Sequence, residues 1–166
     1  MSTHMFIKID TIKGESKADG HKEEIEVLSW NHSFNMPSHP QRSTSGGATV
    51  EQANHADFAF TKFLDAATDD ILKNLWQGTH IKSAVFTAYR ADGAKTKGVP
   101  YLKIEMTEGV LVSSYTISGS EGGVPMESVS LNYGKVAYTY TPQDQSKGSA
   151  GGAQPVSHDL VKRTVA

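Results

Sequence analysis

An antiparallel β-barrel with one flanking α-helix, mainly β within the α+β class, is the fold this sequence predicts. Three observations carry that expectation. Short runs alternate apolar and polar residues with a period of two along most of the chain. One stretch instead spaces its apolar residues like a helix face. Gly, Pro, Asp and Ser clusters punctuate the runs where turns are needed. One amphipathic helix cannot make a core alone, so it must lie on a sheet.

Phe6–Ile9 opens as a strand, Phe6 and Lys8 facing one way, Ile7 and Ile9 the other. The polar segment 14–21 is loop chemistry, and Glu24–Val27 returns as a strand. Leu28 and Ser29 break the alternation, which predicts a bulge before Trp30. Asn31–Met36 extends that strand. Residues 37–49, rich in Pro, Ser, Gly and Thr, form an extended loop too long for a hairpin. Ala56–Leu64 alternates again, with Phe58, Phe60 and Lys62 on one face. The helix spans about 68–77, with Thr68 as N-cap, Asp69 and Asp70 in its first turn and Gly78 as its stop. Its apolar stripe is Ile71, Leu72, Leu75 and Trp76. Ile81–Arg90 is the next strand, followed by a turn at Asp92-Gly93 and a polar link to Pro100. Leu102, Ile104 and Met106 alternate up to a tight turn at Glu108-Gly109, and Val110–Ile117 returns. After the glycine-rich loop 119–125, Val129, Leu131 and Tyr133 pair with Val136, Tyr138 and Tyr140 about Asn132–Lys135. Pro142 closes a domain of residues 1–142, leaving a Gly/Ser-rich tail over 143–166.

The 166 residues suffice for a sizeable core. A net charge of −2 gives no electrostatic case for nucleic acid or an anionic membrane. With no cysteine, disulfides, thiol nucleophiles and zinc–thiolate sites are excluded. No stretch reads as a secretory leader or is apolar enough to span a bilayer, so no membrane insertion is expected. The seven histidines lack zinc-hydrolase spacing, although His32 and His39 are able to meet across a loop. Glu24 and Glu26 share an exposed strand face rather than forming an acid pair. Ser113-Ser114 lacks a nucleophile elbow, and Ser118–Gly123 lacks the lysine and helix of a phosphate loop. No catalytic residue, metal or cofactor is expected. A small β-barrel ligand-binding module or hydrolase is the alternative class.

Ile12-Lys13-Gly14-Glu15-Ser16, His21, Glu24-Ile25 and Val27-Leu28-Ser29-Trp30 resemble the opening signature of the haemolysin-coregulated protein (Hcp) family. That family forms the tube of the bacterial type VI secretion system. The resemblance continues through Phe60-Thr61-Lys62, Leu111–Tyr115, Glu127–Tyr133 and Tyr138–Gln143. It implies a barrel like that of phage tail tubes, assembled as a homohexameric ring and stacked into a hollow tube. The implied partners are further copies of the chain, a spike protein at the tube tip, a contractile sheath, and effector proteins in the lumen. It also implies assembly in the bacterial cytoplasm and export to the extracellular space or a target cell without a cleavable signal peptide. Within the signature, Gly14, Glu15, Ser16, His21, Glu24 and Trp30 are the marker residues, and His21 is expected to anchor its loop by hydrogen bonds. Asn31 and Ser33 are candidate lumen contacts. Pro37, Ser38, His39, Pro40, Gln41, Arg42, Ser43, Gly46 and Gly47 are candidates for ring stacking. Family members commonly carry a Gly-Trp-Asp-like element near the C-terminus, where this chain has Ser157-His158-Asp159.

Overall fold

The computed structural model describes residues 4–37, 52–90, 99–143 and 151–166. The first strands are β1 (His4–Ile9), β2 (Ile25–Glu26), β3 (Ser29–Asn31), β4 (Phe34–Asn35), β5 (Asn54–His55) and β6 (Phe58–Phe63). After α1 (Thr68–Gln77) come β7 (Ile81–Arg90), β8 (Val99–Ser118), β9 (Met126–Asn132), β10 (Lys135–Tyr140), β11 (Gln154–Asp159) and β12 (Thr164–Val165). All the pairings are antiparallel. One path runs β12-β11-β10-β8-β7-β1-β2, while β9, β6 and β3 continue the same sheet from the far half of β8. β2 lies on β1 and β3 on β6, so the short segment between them carries the chain from one end of the strand path to the other. The side chains of Ile7, Ile25, Phe58, Phe60, Phe86, Ile104, Met106 and Leu131 fill the space enclosed.

Two expected turns are absent, and their absence makes the architecture. Glu108 and Gly109 take φ values of 60° and 78°, yet β8 continues through them for 20 residues. Its first half pairs with β7 and β10, its second with β9. Positive φ at two successive positions bends the strand from one face of the barrel to the next, and glycine suits the second position. Likewise β9 and β10 are not partners of one another. Both lie antiparallel on β8, β9 on residues 111–118 and β10 on residues 102–107. Their corner at Tyr133-Gly134 nests against the bend in β8. A Cβ on Gly134 would sit 2.5 Å from the Glu108 carbonyl oxygen and 2.9 Å from its Cβ.

The expected bulge at Leu28-Ser29 is a handover between strands. Val27 N–H donates to Met5 on β1 at 2.9 Å, and Leu28 N–H to Thr61 on β6 at 2.8 Å. On β7 the buried face is Ala84, Phe86 and Ala88. Ile81 joins it, against simple alternation, because the register shifts between Ile81 and Ser83. The turn expected at Asp92-Gly93 lies outside the described residues. Beyond the glycine-rich tail segment, β11 extends the sheet on β10 over six register pairs and β12 folds back on it.

The helix has the expected limits and ends at Gly78, whose N–H reaches the Asn74 and Leu75 carbonyls. Two expectations about it fail. Ala67, not Thr68, stands at the N-cap, and the Asp65 carboxylate accepts the Ala67 N–H at 2.9 Å. Thr68 is drawn inward, its hydroxyl donating to Glu127 Oε1 at 2.8 Å. Trp76 leaves the apolar stripe and is 76% exposed.

Lys62 and Glu127 are both fully buried and face each other as an ion pair across the β6–β9 ladder. Lys62 Nζ also donates to Asp65 Oδ1 at 2.8 Å and to the Phe63 carbonyl at 3.1 Å. Tyr115 O–H donates to Glu127 Oε1, and Lys62 meets Oε2. A buried charge without a partner is costly, so Lys62→Met should lower the unfolding free energy by about 3–5 kcal/mol in urea titration. Joint replacement Lys62→Met/Glu127→Leu should recover much of that loss. Gly134→Ala, which has no room for its methyl, should cost about 1–3 kcal/mol in the same measurement without changing the slope.

Candidate functional site

Gly14, Ser16, His21 and Glu24 of the opening segment meet in one strapped loop. Gly14 N–H donates to the Glu23 carbonyl at 2.8 Å, and Glu23 N–H to the Ser16 carbonyl at 2.8 Å. Ser16 N–H closes the strap on Glu24 at 3.1 Å. His21 lies flat on Phe6 with centroids 4.5 Å apart, donates from Nδ1 to the Glu24 carboxylate at 2.6 Å, and meets the Tyr89 hydroxyl through Nε2. Trp30 packs against Phe58 and Phe86. Glu15 is the exposed member of the group.

Asn31 and Ser33 are both exposed, on β3 and just beyond it. Pro37 is half-buried; the other ring-stacking candidates, Ser38, His39, Pro40, Gln41, Arg42, Ser43, Gly46 and Gly47, lie outside the described residues. His32 therefore has no described contact with His39. Among the described residues no group of three His, Cys, Asp or Glu side chains is placed to hold a metal ion.

The surface carries unexpected apolar side chains in two places. At one end of the β6–β9 ladder, Phe63 and Met126 are register partners, both exposed, with Leu64, Ile117 and Val124 also exposed nearby in the chain. Leu64 N–H is tied to the Pro125 carbonyl at 3.0 Å, so this edge is ordered by the backbone. Beside it Glu15, Glu26 and Asp65 rim a groove floored by Leu28, Phe63 and Leu64. The second place is a shallow apolar hollow lined by Phe34, Val136, Tyr138, Val156 and Val165, with His55 and His158 at its wall.

Those histidines belong to a chain of rings that sequence reading missed. Tyr138 hydroxyl meets His32 Nδ1, and His32 Nε2 meets Tyr133 hydroxyl at 2.6 Å. Tyr133 hydroxyl continues to His55 Nδ1 at 2.9 Å, and His55 Nε2 to His158 Nδ1 at 2.8 Å. Burial pushes His32 down to about 4 against its ordinary 6.5; the Ala56 carbonyl opposes the shift, His55 adds to it, and Asp57 opposes it. His55 is also lowered, by burial and then by His158. Burial raises Tyr138 to about 12 and raises Tyr133 as well, with Tyr138 and Asp57 adding to the latter. The native state thus holds His32 and His55 neutral. The stability this confers is complete above about pH 6.5 and is lost as pH falls towards about 4. Partners more than 100 residues apart in sequence leave no local spacing to read.

Comparison with known proteins places this geometry in context. A family described as "Type VI secretion system effector, Hcp" matches residues 6–140. Protein hcp1 of Pseudomonas aeruginosa is 38% identical over 153 residues, 92% of this chain and 91% of that protein. A solved type six secretion system protein superposes with a TM-score of 0.89 at 28% identity, over 99% of this chain and 100% of the other. Hcp1 from Salmonella typhimurium superposes with a TM-score of 0.77 at 28% identity, over the full length of both. The strapped loop and the bent, shared-strand barrel are thus those of a known architecture, and the chain belongs to the Hcp family of type VI secretion system proteins.

Proposed function

We propose that this chain is a tube subunit that forms homohexameric rings, stacks them into a hollow tube, and carries effector proteins in the lumen. The tube ends in a spike protein, lies within a contractile sheath, and leaves the bacterial cytoplasm with its cargo for the extracellular space or a target cell. The observation that carries the assembly claim is the exposed apolar surface: Trp76 on α1, and Phe63, Leu64, Ile117, Val124 and Met126 at one barrel end. Apolar residues gathered at one edge of an otherwise well-packed fold favour burial against another protein surface. A lateral contact whose rotation closes makes a ring, and a separate axial contact makes a filament. Among the described residues β2, β3 and β12 are each laddered on one side only, so assembly is left to side-chain surfaces and to those edges. Asn31 and Ser33, polar and exposed, suit a wet channel, and residues 37–47 remain the proposed stacking segment.

Negative-stain images of the purified protein at high concentration should contain six-fold annuli; a monodisperse monomer at every concentration would sink the proposal. Phe63→Glu should lower the ring fraction at least about tenfold by sizing, with an unchanged far-ultraviolet spectrum, since an uncompensated carboxylate is poorly tolerated in a buried contact. Asn31→Arg should alter cargo capture while leaving rings intact, and unchanged capture would remove position 31 from the lumen contacts.

A further inference from the structure

β4 and β5 form a two-stranded sheet of their own, with no ladder to the ten-stranded sheet beside it. Two register pairs, Phe34↔His55 and Asn35↔Asn54, join the two strands. What ties the pair to the main body is aromatic. Phe34 packs on His32, His55 and Tyr138, and the ring chain runs from Tyr138 on β10 through His32, Tyr133 and His55 to His158 on β11.

The hydrogen inventory of that chain is restrictive. A neutral imidazole brings one N–H and one acceptor nitrogen, and a phenol brings one O–H. In the neutral chain each of the four links has one hydrogen, and one more points outward at one end, from Tyr138 O–H or from His158 Nε2–H. One added proton is accommodated by filling the other end, whichever imidazole takes it. Within these four links a second added proton has no slot; the Ala56 carbonyl beside His32 is an acceptor outside them. Either two N–H groups face each other across the 2.8 Å between His55 and His158, or a hydrogen of Tyr133 is displaced from both of its links.

We propose that Tyr138, His32, Tyr133, His55 and His158 form an acid-operated latch that holds the β4–β5 pair against β10 and β11 at neutral pH and releases it when a second proton enters. The depressed imidazoles of His32 and His55 agree with it, because the folded chain resists protonation. Among the charges around the chain, Asp57 favours a proton on His32 but by less than burial opposes it. Its carboxylate, next to β5, accepts from Ser113 Oγ at 2.5 Å and Asn132 Nδ2 at 2.9 Å. Asp159 on β11 accepts the backbone N–H groups of Val161 and Lys162, and Lys135 on β10, its register partner, is cationic. Lys162 and the exposed Arg163 in the β11–β12 turn add positive charge on that side. The inference concerns the protomer and stands or falls whether or not rings form.

Hydrogen exchange of the full chain tests it. Protection of the amides at 34–35 and 54–56, corrected for intrinsic rates, should fall about tenfold or more between about pH 6.5 and about pH 4.5, while residues 102–107 of β8 keep theirs. Nitrogen-15 imidazole spectra should show two coupled steps rather than three independent titrations. His158→Gln, which keeps a polar partner for His55 but cannot take the proton, should move the loss about one pH unit or more lower. Tyr133→Phe, which cuts the chain in the middle, should expose the same amides already at neutral pH. Protection unchanged down to about pH 4.5, a loss shared equally by β8, or an unaltered midpoint in His158→Gln would each overturn the latch.

Discussion

The bend in β8 is the constraint on which the remaining structure depends. A strand that serves two faces of a barrel must turn without giving up its hydrogen bonds, and Glu108 and Gly109 do this by two consecutive positive φ angles. The consequence propagates at once to the neighbouring ribbon, since β9 and β10 follow β8 round the same corner. Gly134 is required there because the Glu108 carbonyl occupies the space of a side chain. Every later element inherits the geometry: β11 and β12 extend the face that β10 selects, and β6 completes the other through β9.

The Lys62–Glu127 pair performs a second kind of positioning. Buried ion pairs contribute little net stability, because desolvation offsets most of their attraction. Here the pair joins β6 to β9 and, through Thr68 and Asp65, fixes where α1 begins. Ile71, fully buried, anchors the inner side of the helix, and Trp76 is then carried outward. A hydrophobic staple in the same place would have held the helix to the sheet without directing its first turn. The charged network, whose hydrogen bonds have defined directions, ties the first turn of α1 to β6 and β9.

Most of the fold was legible in the sequence because period-two alternation reports burial directly, and α1 was bounded by Gly78 as its pattern implied. What was not legible is the difference between a turn and a bend. Glu108-Gly109 and Asn132–Lys135 carry the residues of tight turns, yet the positive φ angles of Glu108 and Gly109 serve a strand that bends, and 132–135 forms a corner. Thr68 looked like a cap because its partner, Glu127, is 59 residues away. Lys62 shared a face with Phe58 and Phe60 in the alternation, a conflict that marked a buried charge, but its partner was again invisible at a separation of 65 residues. In the opening signature, the anchoring expected of His21 is met by its bonds to Glu24 and Tyr89, whereas the backbone strap of Gly14 and Ser16 on Glu23 and Glu24 left no local pattern to read.

The ring chain reaches across the sheet to its added strand: His158 stands on β11, with Nδ1 against His55 Nε2. A neutral imidazole at the end of the chain is both donor and acceptor, so either direction of hydrogens along the links can end on it. Tyr133 and Tyr138 matter for the same reason, since their hydroxyls transmit the direction of each link to the next. The adjacent Asp159 keeps its structural work on the following turn. His158 thus closes the ring chain on β11 while the β10–β11 ladder keeps its six pairs.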